Sequence, residues 1–408
     1  MKCRHCGALL VHTFLDLGFA PPSNAYLVEA DLSKPEKYYP LTVKVCDQCW
    51  LVQTEDYAQA DELFSSKYAY FSSTSTSWLV HAKHYAEKMT SEIGLTRQSM
   101  VIEVASNDGY LLRNFVAAGI PCLGIEPTDS TADVAEQLGI PVLREFFGEA
   151  LGKQLAANGQ QADLIVGNNV YAHVPDINDF TRGLKVALKP GGIVTLEFPH
   201  VMRLIEQAQF DTVYHEHFSY LSLQTVCKIF TAAGLRVWNV DELSTHGGSL
   251  RVYGCHQDDK RQTKGSVSRL LQEETQHGLQ DLQTYLGLQP RADKIKDDLL
   301  SFLIEQKRTG KKMAAYGAAA KGNTLLNYAG VKPDLLKFVC DLAQAKQNKF
   351  MPGSHIPIYD PEQVNWSELD FVLILPWNIA SEVKTQLRDR LKTGALFVTA
   401  VPSLSVGV

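Results

Sequence analysis

The chain has 408 residues, 45% hydrophobic and 21% charged, which suits two or three folded domains with sizeable cores. A net charge of −6 argues against a nucleic-acid partner, because no strongly basic surface is implied. No apolar run reaches the length of a membrane span, and residues 1–6 carry no apolar leader.

The first element is a pair of knuckles, Cys3-Arg4-His5-Cys6 and Cys46-Asp47-Gln48-Cys49, separated by 39 residues. Four thiolates in two such pairs suit a closed tetrahedral Zn²⁺ site, which is structural because four sulfur ligands leave no open position. A redox C-x-x-C is the alternative, but it needs no second pair. Between the knuckles, residues 17–24 read as a Gly/Pro-punctuated loop and residues 41–45 alternate like a strand. The other cysteines, Cys122, Cys227, Cys255 and Cys340, sit in apolar surroundings and read as buried free thiols. Together they predict a reducing, cytoplasmic compartment.

Residues 68–75 are rich in aromatic and hydroxyl groups. Their tyrosines suit packing at a domain seam, or a lid whose phenols reach a ligand. An amphipathic helix follows over residues 76–93, with Trp78, Leu79, Ala82, Tyr85, Ala86 and Met89 as its apolar positions. Residues 101–112 read as a buried strand, a polar turn and a helix start. A second strand, Cys122-Leu123-Gly124-Ile125, ends in Glu126. A carboxylate placed there can accept both ribose hydroxyls of an adenosine ligand. Residues 162–170 form another parallel-type strand with a polar end at Asn168-Asn169. Residues 188–197 read as a helix exit, a Pro-Gly-Gly turn and a strand, and residues 235–240 and 248–254 as the hairpin that closes the sheet.

Between these lies Tyr214-His215-Glu216-His217-Phe218. It gathers a base, an electrostatic partner and a proton donor, the equipment for removing a proton next to a carbonyl. A buried, hydrogen-bonded cluster at a domain seam is the alternative reading. Residues 272–288 form a polar helical connector. Residues 312–324 again read as strand, Gly-turn and helix; residues 338–341 and 371–378 add two strands with polar ends. This second Rossmann-like unit has a helix N-terminus after Gly317, with Lys321 nearby, that can receive the diphosphate of a nucleotide.

Glu103 to Gly109, Glu126, Asn168-Asn169 and residues 188–193 together resemble an S-adenosylmethionine-dependent class I methyltransferase. The turn lacks the G-x-G-x-x-G of a nicotinamide dehydrogenase, and Ala105 and Ser106 stand where glycine is usual. A narrower likeness covers essentially the whole chain. It is carried by both Cys knuckles, Tyr68-x-Tyr70-x-Ser72-Ser73, Ser106-Asn107-Asp108-Gly109-Tyr110, His173-Val174-Pro175-Asp176, the Tyr214–Phe218 run, the residues from Thr245 to Val252, and the residues from Met351 to Ile358. In these the chain resembles the sugar C-methyltransferases of deoxysugar biosynthesis, which include the 3-C-methyltransferase of the tetronitrose pathway.

The resemblance implies an α/β protein: a small N-terminal zinc-binding domain (residues 1–61), a class I methyltransferase Rossmann-like core with linker helices (62–258) and a second, C-terminal Rossmann-like domain (259–408). It implies S-adenosylmethionine and structural Zn²⁺ as cofactors. The substrate would be a nucleotide-linked 4-keto-6-deoxysugar, deprotonated beside the ketone and methylated on the enolate, at C3. His217 would be the base and Glu216 its orienting carboxylate. Tyr214 would hydrogen-bond the enolate oxygen, His173 would sit near the sugar, and Tyr68 would reach in. His215 can exchange roles with His217, and His173 or His246 can relay the proton. The cofactor would lie on Glu103, Ser106, Asn107, Asp108, Gly109, Glu126, Asn168 and Asn169. The substrate would also meet Tyr70, Ser72, His246, Lys321 and Lys346. After Asp341, Leu342 to Ala345 replace the family's usual Arg-Asn-Pro stretch. Two other readings stay open: a methyltransferase on another small acceptor, and a non-catalytic sugar-nucleotide-binding protein. Monomer and homodimer are both compatible with the sequence.

Overall fold

Strand Tyr39–Val45 buries Leu41, Val43 and Val45 and turns the alternate residues outward, the period of a strand with one face in a core. In the computed structural model, which describes residues 1–55, 57 and 71–408, it belongs to a four-stranded antiparallel sheet. Its companions are His12–Ala20, Val52–Thr54 and, from far along the chain, Ser219–Tyr220. Residues 17–20, expected in a loop, lie inside His12–Ala20. Gly18 (φ 73°) takes up a register shift between Asp16 and Phe19, so the glycine marks a bulge rather than a strand end.

Val101–Val104 and Cys122–Ile125 are buried at every position, as parallel strands covered on both faces must be. They sit in a seven-stranded sheet ordered Leu235–Leu243, Ser249–His256, Leu188–Pro199, Ala162–Asn168, Val101–Val104, Cys122–Ile125, Val142–Leu143. Ser249–His256 runs antiparallel to both neighbours, and the five strands from Leu188–Pro199 onward are parallel. The Pro-Gly-Gly segment is no separate turn. Strand Leu188–Pro199 runs through it, with a register shift against Ala162–Leu164. Helix Thr76–Ile93 has the expected bounds. The Ser75 hydroxyl accepts the Trp78 N–H at its start, and Gly94 (φ 67°) ends it.

The helical connector is broken at Gly278 (φ 77°) into Gly265–Gln276 and Leu282–Leu286, before the long helix Leu288–Arg308. A third sheet follows, ordered Ile358–Tyr359, Val339–Cys340, Met313–Tyr316, Phe371–Ile374, Leu396–Thr399, Ser405–Gly407, parallel except for the last strand. Residues just past the carboxyl ends of parallel strands in both large sheets line one cavity, the usual ligand position in open α/β sheets. Among the described residues, no helix is long and apolar enough to cross a membrane.

Candidate active site and metal centre

The two knuckles fold alike. The N–H of Gly7 bonds to the Cys3 carbonyl and that of Trp50 to the Cys46 carbonyl, and both residues take positive φ. These turns bring the sulfurs of Cys3, Cys6, Cys46 and Cys49 within 4.8 Å of one another, with Cys3–Cys49 and Cys6–Cys46 at 3.5 Å. A tetrahedral zinc with bonds of ~2.3 Å needs sulfurs about 3.8 Å apart, so the set fits a fully closed site. The Gln53 amide donates to Cys3 Sγ at 3.2 Å, tying the metal centre to strand Val52–Thr54.

The cavity encloses about 590 Å³. On one side, Ala105 (φ 57°), Asn107 (φ 50°) and Gly109 (φ 76°) wind the turn after Val101–Val104. At this positive φ a Cβ on Gly109 would lie 2.4 Å from Ile140 Cδ1 and 3.3 Å from Ala135 Cα, so glycine is favoured there. Asn107 Oδ1 accepts the Ser72 N–H at 2.9 Å, and Asp108 Oδ2 the Ser73 N–H at 3.0 Å, which draws Ser72 to the cavity wall. Glu126 turns both carboxylate oxygens onto main-chain donors, Asn107 N–H at 2.9 Å and Thr128 N–H at 3.0 Å, and keeps a lone pair on each for a ligand hydroxyl. Asn168 Oδ1 and Asn169 Oδ1 have no hydrogen-bond partner among the described residues. An acidic acceptor, two unmet amide oxygens and an apolar wall of Val104, Ile125 and Phe147 fit an adenosine-bearing cation.

Of the expected cofactor residues, Asn107, Glu126, Asn168 and Asn169 line the cavity. Glu103, Ser106, Asp108 and Gly109 lie beneath it. Ser106 packs on Gly124, where a Cβ would come within 2.5 Å of its hydroxyl. Glu103 is fully buried, and desolvation raises its carboxyl well above the usual range.

At the other end, the turn Phe210–Thr212 leads into the Tyr214–Phe218 run. His217 Nδ1 lies 3.0 Å from the Thr212 carbonyl. A carbonyl only accepts, so His217 carries its proton on Nδ1 and presents a lone pair on Nε2. Its ring is 4.0 Å from that of Tyr214 and 4.6 Å from that of His173. Burial, with His173 next, holds its pKa well below the usual histidine value, so the ring is neutral near pH 7. The His217 carbonyl accepts the Thr54 hydroxyl at 3.2 Å and the Phe218 N–H reaches the Ala172 carbonyl at 2.8 Å, which pins the run between the zinc sheet and the turn Tyr171–His173. Asn24 Nδ2 lies 2.8 Å from both oxygens of Glu216.

His215 points elsewhere: its Nε2 is 3.2 Å from the Pro40 carbonyl and its ring faces Tyr39. His173 and His246 line the cavity, each pushed down to about 4, chiefly by desolvation. His246, at φ 54°, meets the Asn169 amide at 3.2 Å. Lys321 and Lys346 also line it; Lys346 pairs with Asp341 at 3.2 Å. Tyr68 and Tyr70 lie outside the described residues.

Sequence reasoning missed three features. Asn24 holds Glu216 from 192 positions away. Trp78 covers the cavity, stacked on His81 and beside His246. Behind Trp78, Glu197 and Arg251 form a buried ion pair at 2.6 Å, with His81 Nε2 3.0 Å from the carboxylate. They are direct partners on adjacent antiparallel strands. The available signal was one charge inside each of two largely apolar runs, residues 193–198 and 250–255.

Comparison with known proteins finds matches along nearly the whole chain. Residues 3–64 match a family described as a zinc binding domain, residues 79–240 a methyltransferase domain and residues 244–402 a C-methyltransferase C-terminal domain. The C-methyltransferase NovU of Streptomyces niveus is 32% identical over 401 residues, spanning 98% of this chain and 95% of the relative. A ubiquinone biosynthesis O-methyltransferase of Paramagnetospirillum magneticum is 29% identical over 118 residues, 27% of this chain and 46% of its own. Among solved structures, magnesium protoporphyrin IX methyltransferase from Synechocystis PCC 6803 with bound SAM covers 43% of this chain and 79% of that one, at 14% identity and a TM-score of 0.33. The cofactors are S-adenosylmethionine and zinc, and the chain belongs to the S-adenosylmethionine-dependent C-methyltransferases that carry an N-terminal zinc-binding domain and a C-methyltransferase C-terminal domain.

Proposed function

We propose that this C-methyltransferase deprotonates the carbon beside the ketone of a nucleotide-linked 4-keto-6-deoxysugar and methylates the resulting enolate, at C3. The observation that carries the reading is the state of His217. Its Nδ1 proton is committed to a main-chain carbonyl, its Nε2 lone pair is available, and it lines the same cavity as Glu126.

A ketone makes the adjacent C–H acidic, and a neutral imidazole close to it is the matching base. Nε2 of His217 takes the proton, and the C–H electron pair moves onto the ketone oxygen as an enolate. Tyr214, its ring tilted against that of His217, offers its phenol to that oxygen. Glu216, held by Asn24, balances the imidazolium that forms. His173 and His246, neutral at the working pH, are placed to pass the proton on. S-adenosylmethionine, when bound, supplies an electrophilic methyl group. The chain's own work is to hold acceptor carbon and donor in line and to keep water out. Lys346 and the start of helix Ala320–Tyr328 face the cavity from the C-terminal sheet, where they suit the diphosphate.

The test is mass spectrometry of nucleotide-linked 4-keto-6-deoxysugars incubated with the protein in deuterated water, with and without S-adenosylmethionine. The expected result is a gain of one methylene with the donor and deuterium uptake on the sugar without it. Neither change across dTDP-, UDP- and GDP-linked sugars, from protein that still binds the donor, would refute the keto-sugar reading.

A further inference from the structure

Lys321 reaches the reaction end of the cavity from the C-terminal sheet, in the first turn of helix Ala320–Tyr328. Its Nζ donates to Asn378 Oδ1 at 2.7 Å and lies 4.7 Å from the centre of the Trp377 ring. The Trp377 indole N–H donates in turn to Asp211 Oδ2 at 2.7 Å. Asp211 is fully buried, and its other oxygen has no hydrogen-bond partner among the described residues. The turn bearing His246 presses on the same indole: a Cβ on Gly247 would lie 2.5 Å from Trp377 Cη2.

Three distant parts of the chain thus converge on the Trp377 indole, over which the Lys321 ammonium lies. They are the turn that opens the Tyr214–Phe218 run, the turn that carries His246, and the end of strand Phe371–Ile374. The manner of holding is informative. A neutral amide and an aromatic face fix the ammonium without cancelling its charge, and the balancing carboxylate stands behind the indole. A carboxylate in direct contact would have satisfied the lysine and quenched its field. Asn378 occupies one of three N–H donors, so others remain for a ligand. Lys346 differs in this respect, since it is already paired with Asp341.

We propose that Lys321 is a catalytic residue for proton removal, with Asp211 and Trp377 as its positioning residues. Its ammonium hydrogen-bonds the acceptor oxygen that becomes negative as the C–H proton passes to His217 Nε2. The C–H electron pair becomes the enolate double bond and the carbonyl π pair moves onto oxygen. Lys321 keeps its proton throughout, and the charge leaves the oxygen when the carbon takes the methyl group. The C-terminal sheet therefore supplies part of the reaction centre as well as a place for the nucleotide. This inference rests on the proton-removal reading above.

The experiment follows donor-independent deuterium exchange into saturating dTDP-, UDP- and GDP-4-keto-6-deoxysugars, with sugar-nucleotide affinity measured separately. Lys321→Met is expected to lower the saturated exchange rate by about 10²- to 10³-fold and affinity by less than about 3-fold. Lys321→Arg should recover part of the rate. Asp211→Asn, which keeps shape and an acceptor for Trp377, should lower the saturated rate by about 10-fold with affinity unchanged. If wild-type protein exchanges and Lys321→Met exchanges equally at saturation but binds weakly, Lys321 serves the diphosphate and the inference is overturned while the proton-removal reading stands. If wild-type protein exchanges none of the sugars, that reading fails and this inference falls with it.

Discussion

In the seven-stranded sheet, Val101–Val104 lies between Cys122–Ile125 on one side and Ala162–Asn168 on the other. In the six-stranded sheet, Met313–Tyr316 lies between Val339–Cys340 and Phe371–Ile374 in the same order. Each sheet has a short strand outside its second strand and an antiparallel strand beyond its fifth. Each places an acid just after its second strand, Glu126 and Asp341. Those acids have taken different work. Glu126 is held by main-chain N–H groups and leaves lone pairs toward the cavity. Asp341 accepts the Ala343 N–H at 2.8 Å and uses its other oxygen on Lys346. One topology therefore serves two purposes, according to what the acid does with its spare lone pairs. One sheet turns acceptors toward the cavity, and the other presents cations.

The largest expected effect lies on the seam between the sheets. His217→Asn should reduce methyl transfer by about 10³-fold or more while S-adenosylmethionine affinity, measured by calorimetry, stays within about 3-fold. A parallel loss of cofactor affinity would place His217 in the wrong half of the cavity. Next come the acids themselves. Glu126→Gln should weaken S-adenosylmethionine by about 100-fold, or about 2.7 kcal/mol. Asp341→Asn should leave it unchanged and weaken the sugar nucleotide by about 10-fold through a misplaced Lys346. Equal losses of cofactor affinity in the two variants would erase the distinction between the sheets.

The turns give a smaller, structural contrast. Gly317 (φ 87°) faces Pro376, and a Cβ there would come within 2.4 Å of its ring, whereas Ala105 occupies positive φ in the other sheet. Gly317→Ala should cost about 1–3 kcal/mol in urea unfolding, and Ala105→Gly should change stability by less than about 1 kcal/mol. The smallest effect concerns pH. Burial depresses the His217 pKa, so its ring stays unprotonated at and above the ordinary histidine value. Sugar deuterium exchange should hence be flat from about pH 8 down to about 6.5, with its acid limb below that value. A limb centred at or above 6.5 would show the ring to be solvated rather than enclosed.

What the sequence discloses here is what short-range physics decides. The zinc ligands are read from two local spacings. Helix Thr76–Ile93 is read from its period and from the cap residues Ser75 and Gly94. Both sheets announce themselves as apolar runs with polar ends. Glycine was misread where its meaning depends on a neighbouring strand: Gly18 and Gly191 sit inside strands, and Gly278 cuts a helical run. Half of the expected cofactor residues lie under the cavity floor, because a motif locates a turn without saying which side chains face outward. The hold of Asn24 on Glu216 and the Glu197–Arg251 pair depend on register and tertiary approach, which no local pattern encodes.

Strand Ser219–Tyr220 completes the zinc sheet by pairing with Val52–Thr54, directly after the His217 run. The zinc segment is therefore not a detachable module. A chimaera that exchanged only the first fifty-odd residues between relatives would replace one side of a ladder whose other side directly follows the Tyr214–Phe218 run. The metal-binding segment and the Tyr214–Phe218 run are joined through two residue pairs, so recombination between family members is expected to succeed most often when both travel together.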